Sequence, residues 1–223
     1  MIYLPVVLIL FLILLLLLPF LWFAVAIDLV QTAAAKLGFS RGMAIFLFTL
    51  IIIGSTINIP LYRIESQGQL PLSFQDIWLE RYWGIPLQQA HSFTVVALNV
   101  GGGLIPLLLA LYQLGRSNIL AIILCTAIVT LVSYHSAHIV PGIGIEINPL
   151  VSPLTAALSA ILLTKGIQVP PVAFASGVLG TLIGADLLHL GQIEKMTAGV
   201  LSIGGAGVFD GIALCGLLAL LLS

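Results

Sequence analysis

Two aspartates stand in sequence that is otherwise too apolar to hold them. Asp186 lies in Leu182-Ile183-Gly184-Ala185-Asp186-Leu187-Leu188-His189, and Asp210 in Gly204-Gly205-Ala206-Gly207-Val208-Phe209-Asp210-Gly211. An ionisable group is costly in hydrocarbon, so such a residue marks a functional position and faces the interior of a helix bundle. Two carboxyl groups held together in a low-dielectric site cannot both ionise; one keeps a proton and the other accepts one. That division of labour is aspartic-protease chemistry. The unprotonated partner activates a water against a peptide carbonyl, while the protonated one hydrogen-bonds the carbonyl oxygen and later donates to the leaving nitrogen. The same two residues also suit a proton or cation relay in a secondary transporter or channel. A third reading is a scaffold in which both aspartates only hydrogen-bond backbone or hydroxyl groups.

A substrate or ion pathway needs polar backbone at membrane depth, which broken helices expose. Asn99 followed by Gly101, Gly102 and Gly103, then Pro141-Gly142-Ile143-Gly144, and finally Gly205 and Gly207, are the candidates for such breaks. Asn58 and Asn99 would either supply further ligands or satisfy the backbone that those breaks set free. His135-Ser136-Ala137-His138 places two imidazoles three residues apart, and Asp186 and His189 repeat the spacing. His135, His138 and His189 are thus candidate zinc ligands by spacing alone. They do not form the His-Glu-x-x-His pattern of zinc proteases, and hydrogen bonds to loop carbonyls are the expected role; no metal and no cofactor is expected.

The elements that must position these groups follow from composition. Of 223 residues 61% are hydrophobic and 7% charged, with a formal net charge of -1. Soluble domains carry roughly 25% charged residues, and a nucleic-acid surface needs a basic stripe that seven scattered Lys and Arg cannot make. A span needs about 20 apolar residues. Runs at 1–27, 43–60, 91–113, 118–134, 149–165, 170–189 and 197–222 therefore predict an all-α, polytopic bundle of about seven Gly/Pro-broken transmembrane helices, in one integral membrane domain over residues 1–223. The first run is expected to be a span rather than a cleaved signal, since no basic residue precedes it and it exceeds a typical signal core. Cys125 and Cys215 lie inside apolar runs, so no disulfide framework is expected.

Between residues 70 and 90, Phe74, Ile77, Trp78, Tyr82 and Ile85 recur at helical spacing with Gln75, Asp76, Glu80 and Arg81 opposite. That pattern predicts one amphipathic helix lying in the membrane interface. Lys36, Arg41, Arg116 and Lys165 fall on one side of a seven-span topology against Arg63, Arg81 and Lys195 on the other, which leans toward an external N-terminus. The expected partners are the bilayer and either a transmembrane peptide or an ion.

Depth is the difficulty for a paired site. Asp186 lies within two turns of the end of its run, whereas Asp210 is about 13 residues into the next, or about 20 Å at the helical rise. An extended or broken Gly204 to Gly207 would start the last helix later and change that offset. Carboxyl groups that share a water beside a lateral groove would favour proteolysis, aspartates along an axial cavity transport, and aspartates enclosed by backbone donors a scaffold.

The glycine-rich approach to Asp210 resembles the presenilin and signal-peptide-peptidase type of intramembrane protease, although here Val208 and Phe209 separate Gly205-Ala206-Gly207 from the aspartate. Four ordered motifs carry a broader resemblance: Asn99-Val100-Gly101-Gly102-Gly103, Val140-Pro141-Gly142-Ile143-Gly144-Ile145, the stretch from Gly180 to Leu188, and the stretch from Gly204 to Ile212. Together they are similar to the prokaryotic domain-of-unknown-function family 1614, from about residue 54 to the C-terminus. The resemblance implies a multi-pass protein of the archaeal or bacterial cytoplasmic membrane, and no activity, substrate or cofactor.

Overall fold

Each of the seven apolar runs yields one helix, but three of the runs are shared with a β-strand. The computed structural model describes residues 6–65, 93–140, 144–195, 199–205 and 211–223. The helices are α1 (Val6–Lys36), α2 (Arg41–Gly54), α3 (Ile105–Leu114), α4 (Ile119–Ser136), α5 (Val151–Thr164), α6 (Val169–Thr181) and α7 (Gly211–Leu222). The strands are β1 (Asn58–Glu65), β2 (Phe93–Asn99), β3 (His138–Val140), β4 (Gly144–Glu146) and β5 (Gly199–Ile203). Contacts divide the chain into two compact units, residues 1–49 and 50–223.

In the first unit α1 runs on past Asp28 to Lys36, and its side chains from Val6 to Val25 are exposed. A helix apolar all round with no protein against it is what a lipid-facing segment looks like. Its 31 residues span about 46 Å at 1.5 Å per residue. Gly38, at φ +82°, ends it in a left-handed cap, with Phe39 N–H donating to the Ala34 carbonyl at 2.9 Å. The Ser40 hydroxyl then accepts from Met43 N–H at 3.3 Å to start α2.

The second unit is built around α6. This helix packs against α3, α4, α5 and α7, and every residue from Val172 to Val178 is buried. Ala173, Ala175, Ser176 and Gly177 keep it thin enough to be surrounded, which is how helices pack where lipid supplies no hydrophobic drive. A five-residue π-turn (Leu182–Asp186) and a 3₁₀ segment (Leu187–Lys195) extend its C-terminal end. Another π-turn, Val100–Leu104, leads into α3.

Beside the helices lies a three-stranded sheet in the order β1-β2-β5. β2 pairs antiparallel with β1, Asn58 opposite Asn99 and Glu65 opposite Phe93, and parallel with β5, Thr94 opposite Gly199 and Leu98 opposite Ile203. β3 and β4 form a separate hairpin with His138 opposite Glu146. The expectation of an all-α bundle is corrected here: the protein is mostly helical, but runs 43–60, 91–113 and 197–222 each hold a strand as well as a helix. Their strand portions, such as Phe93-Thr94-Val95-Val96 and Gly199-Val200-Leu201-Ser202-Ile203, are short and apolar, and at that length periodicity does not separate a buried strand from a buried helix.

Three helical stretches are long and apolar enough to cross a membrane, Val6–Lys36, Ile119–Ser136 and Val169–Gly191. Arg41–Gly54, Val100–Leu114, Val151–Thr164 and Ile212–Leu222 are shorter apolar helices. The expected interfacial helix at 70–90 lies outside the described residues.

Candidate functional site

Among the described residues, the polar groups singled out by their types lie toward one end of the helices of the second unit. α4 ends there at Ser136, α5 starts at Val151, the π-turn after α6 carries Asp186, and α7 starts at Gly211. The Ser133 and Ser152 hydroxyls, 2.8 Å apart and both buried, tie α4 to α5 at this end. At the opposite end, the turns around Arg116 and Lys165 are joined by Asn118 N–H donating to Gln168 Oε1 at 3.0 Å.

Asn99 closes β2 and is only 1% exposed. Its amide donates to the Ser55 carbonyl at 2.8 Å and to Asn58 Oδ1 at 3.0 Å, while its Oδ1 accepts from Gly102 N–H at 2.7 Å. Asn58 Oδ1 also accepts from the Ser202 hydroxyl at 2.6 Å. One side chain thus caps the π-turn, holds the end of α2 and reaches β1, whose partner asparagine reaches β5. For Asn99 this geometry matches satisfaction of backbone freed at chain breaks, whereas Asn58 Oδ1 accepts from two side chains. Ser55 and Ser202 complete the network; in the sequence they are ordinary small polar residues with no pattern to single them out.

Glycine is required where the breaks touch. A Cβ on Gly101 would overlap the Ile51 carbonyl and the Ser55 amide, and one on Gly204 would overlap the Gly103 backbone. Gly204 also holds φ at +83° and Gly205 at +151°, conformations open to glycine. Gly102 is buried alongside. The two glycine-rich openings are therefore neighbours in space, each following one of two parallel strands, β2 and β5. Gly144 pairs with Val140 in the hairpin, whereas Pro141, Gly142 and Gly207 lie outside the described residues.

Asp186 ends the π-turn and is half-buried. Asp210 lies outside the described residues and is bonded to Gly211, the first residue of α7. The offset of about 13 residues assumes one helix over the whole run; residues 199–203 are instead a strand, and helix is described from Gly211 to Leu222. α6 and α7 pack against each other in antiparallel register. Thr181 Oγ1 donates to Cys215 Sγ at 3.1 Å, and a Cβ on Gly177 would lie 3.4 Å from Ala219 Cβ. An open apolar groove of about 390 Å³ flanks the Asp186 turn, bounded by Ile123, Thr130, Leu131 and Tyr134 of α4 and by Ile183 and Leu188.

The histidines do not converge. His135 and His138 are exposed, and His138 faces Glu146 across the hairpin. His189 is buried, with Nδ1 3.1 Å from the Gly184 carbonyl. Among the described residues no three His, Cys, Asp or Glu side chains come together as a metal site.

A family model for proteins of unknown function, DUF1614, matches residues 52–222. The chain belongs to the DUF1614 family. No curated protein and no solved structure matches it. The match takes in the whole site, from the end of α2 through the sheet to α7. With three helices of spanning length and composition, this DUF1614 member is a membrane protein.

Proposed function

We propose that this chain is a di-aspartyl intramembrane protease in which Asp186 and Asp210 form the catalytic pair. The observation that carries the proposal is the register of α6 against α7. Thr181 meets Cys215 and Gly177 meets Ala219, so each step forward along α6 is matched by a step back along α7. Counting five residues on from Thr181 and five back from Cys215 reaches 186 and 210, so the two aspartates are equally far along the sequence from a contact between the helices. The strand over 199–203 supports the same pairing, because those residues are not part of a helix leading to Asp210 and the depth offset of a single helix over the whole run does not apply.

Paired in a water-poor site, one carboxyl group holds a proton and the other is a carboxylate. The carboxylate takes a proton from a water as that water attacks the peptide carbonyl carbon; the protonated partner hydrogen-bonds the carbonyl oxygen, and the amide nitrogen then leaves with a proton. The lateral groove beside the Asp186 turn, apolar and open, supports access for a substrate from the bilayer. Asn99, with its amide and carbonyl oxygen engaged by protein groups, offers little to a passing ion.

The test is cleavage of a panel of transmembrane peptides in liposomes by the native protein and by Asp186→Asn and Asp210→Asn variants, with proton and cation flux followed on the same preparations. Cleavage by the native protein that each variant abolishes is the expected result. Flux without cleavage, lost in the same variants, would assign the aspartates to an ion pathway and overturn the proposal.

A further inference from the structure

Asp186 sits between two attachments of its turn to α4. On one side, Gly184 is pressed into α4 so closely that a Cβ there would overlap the Thr130 carbonyl and come within 2.9 Å of Ser133 Cβ. On the other, His189 is 6% exposed and its ring lies 4.9 Å from that of Tyr134, tilted by 33°. The two attachments are linked, because His189 Nδ1 is 3.1 Å from the Gly184 carbonyl oxygen. A carbonyl only accepts, so the proton is on Nδ1 and the imidazole is the donor. A loop of side chain and backbone thus closes around Asp186, two residues after Gly184 and three before His189, where the backbone passes from π to 3₁₀ geometry. Such a change of winding has no long helical ladder to hold it, and π-turns recur at functional sites.

We infer that His189 is a positioning residue for Asp186: its Nδ1–H clamp on the Gly184 carbonyl, backed by the Tyr134 ring, fixes the turn that carries the aspartate. The inference rests on the proposed pairing of Asp186 with Asp210. It gives His189 a role other than the metal-ligand one.

The test uses the full chain in liposomes with Cys125→Ala and Cys215→Ala as background, and cysteines replacing Asp186 and Asp210. The readout is the rate of disulfide formation under copper phenanthroline, which needs no proteolysis. His189→Leu removes the donor, His189→Gln moves it one methylene away, and His189→Asn returns an N–H to the place of Nδ1. Leu and Gln are expected to slow cross-linking at least about fivefold, the scale of one buried hydrogen bond, while Asn restores the native rate. In the cleavage assay with both aspartates present, Leu and Gln lower kcat with KM little changed, and Asn restores kcat. Cross-linking that proceeds equally in all His189 variants overturns the inference and leaves the aspartyl pair standing. Cross-linking that fails even with His189 in place overturns the pair itself.

Discussion

Replacing Asn99 by alanine or by aspartate separates a structural asparagine from an ion ligand. In the alanine variant Gly102 N–H loses its 2.7 Å acceptor and the Ser55 carbonyl its 2.8 Å donor, while Asn58 Oδ1 keeps the Ser202 hydroxyl at 2.6 Å. Two groups left unpaired in the interior cost about 1–3 kcal/mol each, and Ser55 is only partly buried, so a loss of about 3 kcal/mol is expected. Aspartate keeps the acceptor for Gly102 but turns the donor into an oxygen facing the Ser55 carbonyl at 2.8 Å and Asn58 Oδ1 at 3.0 Å. Three oxygens without a proton between them, one of them charged and buried, should cost more than the alanine variant, about 4 kcal/mol or above. Unfolding by sodium dodecyl sulfate, followed by far-ultraviolet circular dichroism in mixed micelles, ranks native above Ala and Ala above Asp. If Asn99 instead lined an ion pathway, the added carboxylate would strengthen cation binding, and an Asp variant as stable as native, or stabilised by cations, would refute the network argument.

The other expectations concern packing. Gly101→Ala meets backbone on two sides, so it should cost at least the 1–3 kcal/mol typical of overpacking, and Gly204→Ala adds a strained positive φ to its collision with Gly103; both are read in the same micelle titration. Ser133→Ala and Ser152→Ala share one buried hydrogen bond at 2.8 Å, so the double variant should lose less than the sum of the singles, with a coupling of about 1 kcal/mol in the mutant cycle. Cys125 and Cys215 are fully enclosed, and neither should react with a water-soluble maleimide until the protein is unfolded; rapid labelling of native protein would show that the contacts of α6 with α4 and α7 are looser than described.

How much of this was legible beforehand depends on the length of each run. Each of the seven apolar runs announced a helix that is found among the described residues, because spanning-length apolar sequence has few other outcomes. The strands were hidden inside the same runs. Phe93 to Asn99 and Gly199 to Ile203 are seven and five residues long, the first ending at Asn99 and the second followed by Gly204, and nothing local distinguishes them from a helix start until β2 is seen pairing with both β1 and β5. The glycines were legible as breaks, but not as neighbours: the contact of Gly103 with Gly204 joins segments a hundred residues apart, which one sequence cannot show. Asn99 was visible as a polar group in the wrong place, and its partners, Ser55 and Ser202, were not.

The strand that escaped the sequence reading is also what changes the standing of the aspartates. A helix over the whole last run would bury Asp210 more than three turns deep, far from the level of Asp186. With residues 199–203 held in the sheet as β5, the described segments before and after Asp210 are each anchored, β5 by β2 and α7 by α6. Asp186 is held in a matching way by the clamp of Gly184 and His189 on α4. In the proposed pairing, the segments on either side of Asp210 and the turn that carries Asp186 are held by separate pieces of scaffold, so loosening one should leave the other in place. That asymmetry is testable: Gly103→Ala, which crowds Ile203 and Gly204, should slow cross-linking between cysteines at 186 and 210 without changing the chemical shift of the His189 ring nitrogens. A change in both would mean that sheet and clamp move as one body, and the two supports would have to be counted as one.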